Sequence, residues 1–327
     1  MRILPFICLL VGCCFAAPSD SKESKAPDTL IINNFLKEEY VIYTSKHDIV
    51  KIFAPLNQFP KHDFWSEWTT VHGDSSSSEE APAHPRQLFI VEADISNGKQ
   101  TEQGLYVYNN GTVTKLLDNG RDAVANNENV IYFGASDGIY KYNEAANKAE
   151  KHGSVTDNIV QLAFYNFTDS IYYVTSNHEV FKLNAEATSS EKVSQLKDVQ
   201  SLVFGFDRKA YYYDSKKDVY VYDHENNVAP RKIEGLPAKI DSIALFSPLL
   251  GMEEGANLLL NNVVYLIKPD ATASITKSRV EGQPTAYEPK PTCHQFYAQN
   301  KKLYEIDVMG LLMQMGAPGV FSENHNH

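Results

Sequence analysis

The most ordered feature of the chain is a short alternation of apolar and polar positions that recurs with the same punctuation. Ile131-Tyr-Phe…Gly138-Ile-Tyr-Lys-Tyr-Asn143 is followed by Ile171-Tyr-Tyr…Glu179-Val-Phe-Lys-Leu-Asn184. Next come Ala210-Tyr-Tyr-Tyr…Asp218-Val-Tyr-Val-Tyr-Asp223 and Asn257-Leu-Leu-Leu…Val264-Tyr-Leu-Ile-Lys-Pro-Asp270. Each copy reads as an apolar-aromatic strand, a polar turn and an alternating strand closed by Asn or Asp. Looser copies are Gln87-Leu-Phe-Ile…Gly104-Leu-Tyr-Val-Tyr-Asn109 and Gln295-Phe-Tyr…Lys302-Leu-Tyr-Glu-Ile-Asp307. The first three copies begin at 131, 171 and 210. A strand-only pattern repeating about every 40 residues is the signature of propeller blades.

Each unit can be read strand by strand. Asp122–Asn127, Asn129–Ala135, Gly138–Asn143 and Ala149–Gly153 form one set of four. Ile159–Asn166, Ser170–Ser176, Glu179–Asn184 and Glu191–Leu196 form the next, and Val199–Asp207, Ala210–Ser215, Asp218–Asp223 and Pro230–Leu236 a third. The first strand of each set is apolar and suits the ring centre, while the last is polar and suits the rim. Ser136-Asp137-Gly138 and Asn109-Asn110-Gly111 are hairpin signals. The expected fold is all-β, a six-bladed β-propeller of four-stranded antiparallel blades counted from residue 63 to 316, with seven blades as the alternative. Glu39–Leu56 reads as the outer strand or strands that close the ring against the last blade. The propeller so delimited covers 39–316, with ring-closing strands at 39–56. Pro60–Arg86, containing Gly73-Asp-Ser-Ser-Ser-Ser-Glu-Glu80, reads as a loop insertion, and 317–327 as a flexible tail.

The other end of the chain reads differently. Arg2 precedes an almost unbroken apolar run from Ile3 to Phe15, then Ala16, Ala17 and Pro18. An apolar run of about a dozen residues before small residues fits a cleaved signal peptide over 1–17 better than a membrane anchor, which needs roughly 20. Residues 18–38 are then a polar lead. The mature protein is expected to be secreted and extracellular. Cys8, Cys13 and Cys14 fall in the leader, so Cys293 stands alone, and no intramolecular disulfide is available. Cys293 is read as a buried thiol, with pairing to another chain as the other option. Asn110-Gly-Thr112 and Asn166-Phe-Thr168 are glycosylation sequons for an exported chain.

Charge narrows the partners. With 30 Lys+Arg against 41 Asp+Glu, the formal net charge is −11, which repels nucleic acid and anionic membranes. No Gly-x-Ser-x-Gly, phosphate loop or zinc-spaced Cys/His set is present. Cys293 and His294, adjacent on a strand, point to opposite faces and make no dyad. His47, His62, His72, His84, His152, His178 and His224 are read as exposed turn histidines. A calcium-dependent lactonase- or esterase-like propeller hydrolase remains an alternative, with Asn126, Asn127, Asn166, Asp207 and Asp241 as possible oxygen ligands. That set is thin, and the expected protein is not an enzyme, with no metal and no resident cofactor.

Aromatic residues are the remaining candidates. The 19 Tyr, 16 Phe and 2 Trp include Trp65, Trp68, Phe164, Tyr165, Phe204, Phe206, Phe246 and Tyr287 on or near first strands. Strand alternation sends some between blades and others toward the axis. Trp65, Trp68, Tyr165, Phe206, Phe246 and Tyr287 are taken as ligand candidates for an axial cavity.

Ile131-Tyr-Phe-Gly-Ala-Ser-Asp-Gly-Ile-Tyr-Lys-Tyr-Asn143, followed by Lys148-Ala-Glu150, resembles the ommochrome-binding proteins of lepidopteran haemolymph. The close match spans some 20 residues, and a looser one follows the repeats over most of 88–310. The chain departs from that pattern in its 60–86 insertion, its single mature Cys and its longer leader region. The resemblance implies a secreted haemolymph carrier of an ommochrome-type, tryptophan-derived pigment or its hydroxykynurenine-type precursor. A propeller that binds a protein partner through its loop tips is the other class of function.

Overall fold

The structure, a computed structural model, describes residues 30–31, 36–55, 87–96, 98–247, 254–280, 282, 284–289 and 294–307. The proposed leader, the 60–86 insertion with Trp65 and Trp68, Cys293 and the 317–327 tail lie outside them. The described chain starts with β1 (Leu30–Ile31), a 3-10 turn at Glu38–Tyr40 and β2 (Val41–Thr44). Blade one is β3 (Asp48–Phe53), β4 (Gln87–Ser96), β5 (Lys99–Asn109) and β6 (Thr112–Leu117). Blade two is β7 (Gly120–Ala125), β8 (Ile131–Ala135), β9 (Gly138–Asn143) and β10 (Lys148–Lys151). Blade three is β11 (Ile159–Tyr165), β12 (Ser170–Thr175), β13 (Val180–Leu183) and β14 (Ser190–Lys192). Blade four is β15 (Val199–Phe204), β16 (Ala210–Asp214), β17 (Val219–Asp223) and β18 (Val228–Lys232). Blade five is β19 (Ile243–Phe246), β20 (Ala256–Leu260), β21 (Val263–Ile267) and β22 (Ala273–Arg279), extended by β1 in parallel. Blade six is β23 (Ala286–Pro289), β24 (His294–Gln299) and β25 (Lys302–Asp307), completed by β2 as its outer strand. The protein is a six-bladed β-propeller.

Six blades, not seven, follow from how the N-terminal segment divides. The sequence reads Glu39–Leu56 as one closing element; the structure splits it at Ser45–His47. β2 pairs with β25, as a closing strand should, but β3 pairs with β4 as the inner strand of blade one. The inner strand of blade one is therefore β3, and 60–86 falls in sequence between the first and second strands of that blade.

The core is distributed over six seams between blades rather than gathered in one centre. Phe89, Val91 and Leu105 meet Ala123 and Phe133 between blades one and two, and Val124 and Ile139 meet Leu162 and Tyr173 between two and three. Tyr165 and Val174 meet Leu202 and Tyr212 in the next seam, and Tyr211 and Val221 meet Leu258 in the one after. Leu259 meets Tyr297 and Tyr304 between five and six, and Phe296 and Leu303 meet Ile49 and Ile52 across the closure. Inner and middle strands thus send apolar side chains into the seams from both faces, whereas β10 (exposed Lys148, Glu150, Lys151) and β18 are polar rim strands.

Candidate binding site

Around the axis, the inner strands of blades one to four carry a register irregularity at the same place. The residue just past it is polar in each: Lys51, Asp122, Gln161 and Ser201. Three of these tie blade to blade. Asp122 accepts the Leu162 N–H of blade three at 2.9 Å and the Ala123 N–H at 3.0 Å, and Lys51 Nζ of blade one stands 3.5 Å away. Burial raises the Asp122 carboxyl above its ordinary range, against the opposing pull of Lys51. Gln161 donates to the Leu202 carbonyl at 2.9 Å and accepts the Leu202 N–H at 3.0 Å. These groups are satisfied by the neighbouring blade, and that engagement fixes inter-blade register rather than presenting chemistry to a substrate.

The oxygen-ligand candidates are engaged in local hydrogen bonds. Asn126 Oδ1 accepts from the Glu128 and Val130 N–H groups, and Asn127 donates to the Asn166 carbonyl at 2.9 Å. Asp207 accepts from the Lys209 and Gly255 N–H groups and the Tyr211 hydroxyl, locking the blade-four loop onto blade five. Asp241 pairs with Lys239 at 3.1 Å. Among the described residues no three His, Cys, Asp or Glu side chains converge as a metal group would require.

The structure disperses the aromatic candidates. Tyr165 is buried between blades three and four, its hydroxyl hydrogen-bonded to Glu225. Phe206 stands exposed in the β15–β16 loop. Phe246 and Tyr287 come together between blades five and six, edge to face at 5.2 Å. The three buried or half-buried rings thus occupy seams, not the axial cavity expected for them. Face parity misleads here, because both faces of a blade meet a neighbour.

Four of the histidines read as exposed, His47, His152, His178 and His224, are half-buried. The His224 ring is half-buried among Tyr165 (4.4 Å), Phe204 (5.3 Å), Tyr172 (6.2 Å) and Tyr222 (6.4 Å), and neither ring nitrogen has a partner. Burial lowers its pKa, with Lys182 and Lys209 adding to the shift and Glu225 and Asp223 opposing it. A histidine lowered in the folded state leaves the unfolded chain to take the proton first, so its contribution to stability is lost as pH falls below about 6.5. His224→Phe should therefore gain in melting temperature relative to wild type as pH drops from 7.5 to 5.5. A constant difference across that range would contradict the burial argument.

The seam holding Phe246 and Tyr287 differs from the others in its polar content. Tyr287 also stacks edge-on against Tyr297 at 5.7 Å and donates its hydroxyl to Gln295 at 3.0 Å. Asn257, opposite Phe246 in the β19–β20 ladder, shares a face of β20 with Leu259 and so points into this seam. Asn257 Nδ2 and the Tyr297 hydroxyl are buried and have no hydrogen-bond partner. Neither residue was singled out by sequence, because the loss of partners depends on what the next blade supplies.

The sequons are also placed. Asn110 and Gly111, both at positive φ, form the two-residue β5–β6 turn, and Asn166 opens an exposed 3-10 turn between β11 and β12. Both Asn are exposed.

No family model matches the chain, and no curated protein matches it. Among solved structures, it is similar to an extracellular domain from B. thetaiotaomicron, described in one structure as part of a one component system and in another as part of a hybrid two component system. Identities are 11% and 10%, TM-scores 0.50 and 0.51, over 88% of this chain and 43% of those chains. PorZ of Porphyromonas gingivalis, a surface component of the type-IX secretion system, aligns at 12% identity and TM-score 0.47 over 85% of this chain and 37% of that one. The chain spans less than half the length of each, and at these identities the likeness extends to the propeller fold alone. No helix among the described residues is long and apolar enough to cross a membrane.

Proposed function

We propose that this protein is a secreted, non-enzymatic carrier of a flat, tryptophan-derived aromatic pigment or its hydroxykynurenine-type precursor. The observation that carries this reading is the half-buried Phe246–Tyr287 pair, an edge-to-face arrangement reaching the surface of a seam. Each well-placed ring contact adds about 0.5–1.5 kcal/mol beyond area burial for a flat ligand. The motif at 131–143 supports the pigment class, and the engagement of Asp122, Gln161, Asn126 and Asp207 in structural hydrogen bonds leaves them poorly suited to catalysis. The apolar leader at 3–15 and the two exposed sequons support secretion. Native protein should carry visible absorption, and protein stripped of pigment should show tyrosine fluorescence quenching on titration with 3-hydroxykynurenine. A colourless native protein with no quenching would overturn the reading.

A second reading has its own observation. Phe167 and Phe206 are exposed in the equivalent loops of blades three and four, and the Arg208 guanidinium lies 4.6 Å over the Phe167 ring. Exposed aromatics beside Arg are the usual anchors of a protein interface. Co-purification of a stoichiometric protein, lost on Phe206→Ala, would favour a protein-binding propeller instead.

A further inference from the structure

We infer that the seam between blades five and six is the ligand slot, and that it takes a planar aromatic molecule bearing a carbonyl or other oxygen acceptor. The inference rests on the carrier reading above and replaces its axial cavity with a named location. Two observations support it. The seam holds two buried donors with no partner, Asn257 Nδ2 and the Tyr297 hydroxyl, both more than nine-tenths buried as residues. Three buried tyrosines of other seams are paired: Tyr173 bonds Asp157 at 2.6 Å and Ser190 at 2.7 Å, Tyr165 bonds Glu225, and Tyr211 bonds Asp207. Among the described residues Tyr297 is the only tyrosine whose hydroxyl is both sealed from solvent and unpaired.

The second observation is aromatic geometry. Phe246, Tyr287 and Tyr297 form a run of edge-to-face contacts at 5.2 and 5.7 Å, leading from the half-buried Phe246 to the buried Tyr297. A flat ring entering beside Phe246 would meet π-faces at its sides and donors at the buried end. An unpaired buried donor is costly, and a ligand oxygen removes that cost on binding.

The donors also set specificity. A site with two donors should prefer a ring carrying an aryl ketone to an otherwise similar molecule without one. The test uses 3-hydroxykynurenine and, as the comparison lacking the ketone, tryptophan, titrated into pigment-free full-length protein by fluorescence and calorimetry. Wild type should bind 3-hydroxykynurenine about tenfold or more tightly over tryptophan, the factor one hydrogen bond supplies. Tyr297→Phe and Asn257→Leu should each weaken that binding about tenfold. Neither change should lower the melting temperature of the unliganded protein, because the polar groups removed have no partner to lose. Phe246→Ala, at the half-buried entrance, serves as the third variant and should also weaken binding.

The outcomes separate. Wild type that binds while all three variants bind equally well overturns the slot and leaves the carrier reading standing. Wild type that binds neither probe overturns both. Tyr297→Phe that loses stability along with affinity overturns the slot as well, because the hydroxyl would then be holding the fold.

Discussion

Deleting residues 1–45 should leave a chain that no longer melts in a single cooperative transition. β2 completes blade six from the opposite end of the sequence, pairing Val41 with Tyr304, Tyr43 with Leu303 and Thr44 with Lys302. Ser45 N–H adds a bond to the Lys301 carbonyl at 2.8 Å, and Glu38 meets Lys302 Nζ at 2.6 Å. The side chains reach three blades. Ile42 and Tyr43 pack against the closure seam, Leu36, Tyr40 and Val41 against the seam of blades five and six, and the Tyr43 hydroxyl bonds Glu92 of blade one at 2.9 Å. Burial and that carboxylate push the Tyr43 phenol up to about 12. Fully burying such side chains stabilises by about 1.5–3 kcal/mol each, so five partly buried ones amount to several kcal/mol out of a typical 5–15. The deletion also bares the β25 edge, which invites association. Calorimetry and circular dichroism on this chain, against one beginning at Ser19, provide the check. A melting temperature within a few degrees of the longer chain would mean that β23–β25 hold the ring closed unaided.

The parts of this fold that sequence exposed are those in which neighbours along the chain are also neighbours in space. Gly138–Asn143 is a strand with the boundaries its alternation predicts, and the hairpins of blades two to four follow within a few residues. The closure was legible for β2 but not for β3. Ser45–His47 looks like a hairpin turn, yet the strands on either side belong to different sheets, and the inner strand of blade one is separated from β4 by the whole of 54–86. Short-range pattern carries no information about pairing across such a gap.

The site was less legible than the fold for a related reason. Period-two alternation sorts side chains onto two faces, and in most sheets one face is solvent. In a propeller blade both faces are seams, so Tyr165, Phe246 and Tyr287 have the same sequence signature whether they pack or bind. What distinguishes the last two is the company of Asn257 and Tyr297, donors left unpaired by blade six and blade five respectively. His224 is similar: its position after Asp223 marks it as a turn residue, and only the rings of Tyr165 and Phe204 from two different strands make its environment apolar.

Gly138→Val should lower the melting temperature by roughly 6–12 °C, taking about 3 kcal/mol of strain and clash at 2–4 °C per kcal/mol. Gly138 begins β9 at a φ of +125°, a conformation that L side chains rarely adopt, just after the tight Ser136-Asp137 turn. A side chain there would run into the Val155 carbonyl, which lies in the connection from blade two to blade three. That connection has little freedom to yield, since Val155 is itself packed into the seam with Ile139 and Ile159. The turn is also held from the other side by Asp137, which accepts from Tyr140 at 2.8 Å and Asn119 at 2.7 Å. Gly111→Ala is the control, because its φ of +89° carries the backbone cost while nothing lies within 4 Å of the added carbon. Its loss should be limited to about 1 kcal/mol. Equal losses from the two changes would mean that the Val155 contact is yielding and that φ alone matters. A larger loss at 138 assigns that glycine, in the segment that carries the resemblance to pigment-binding proteins, to blade-to-blade packing rather than to a ligand.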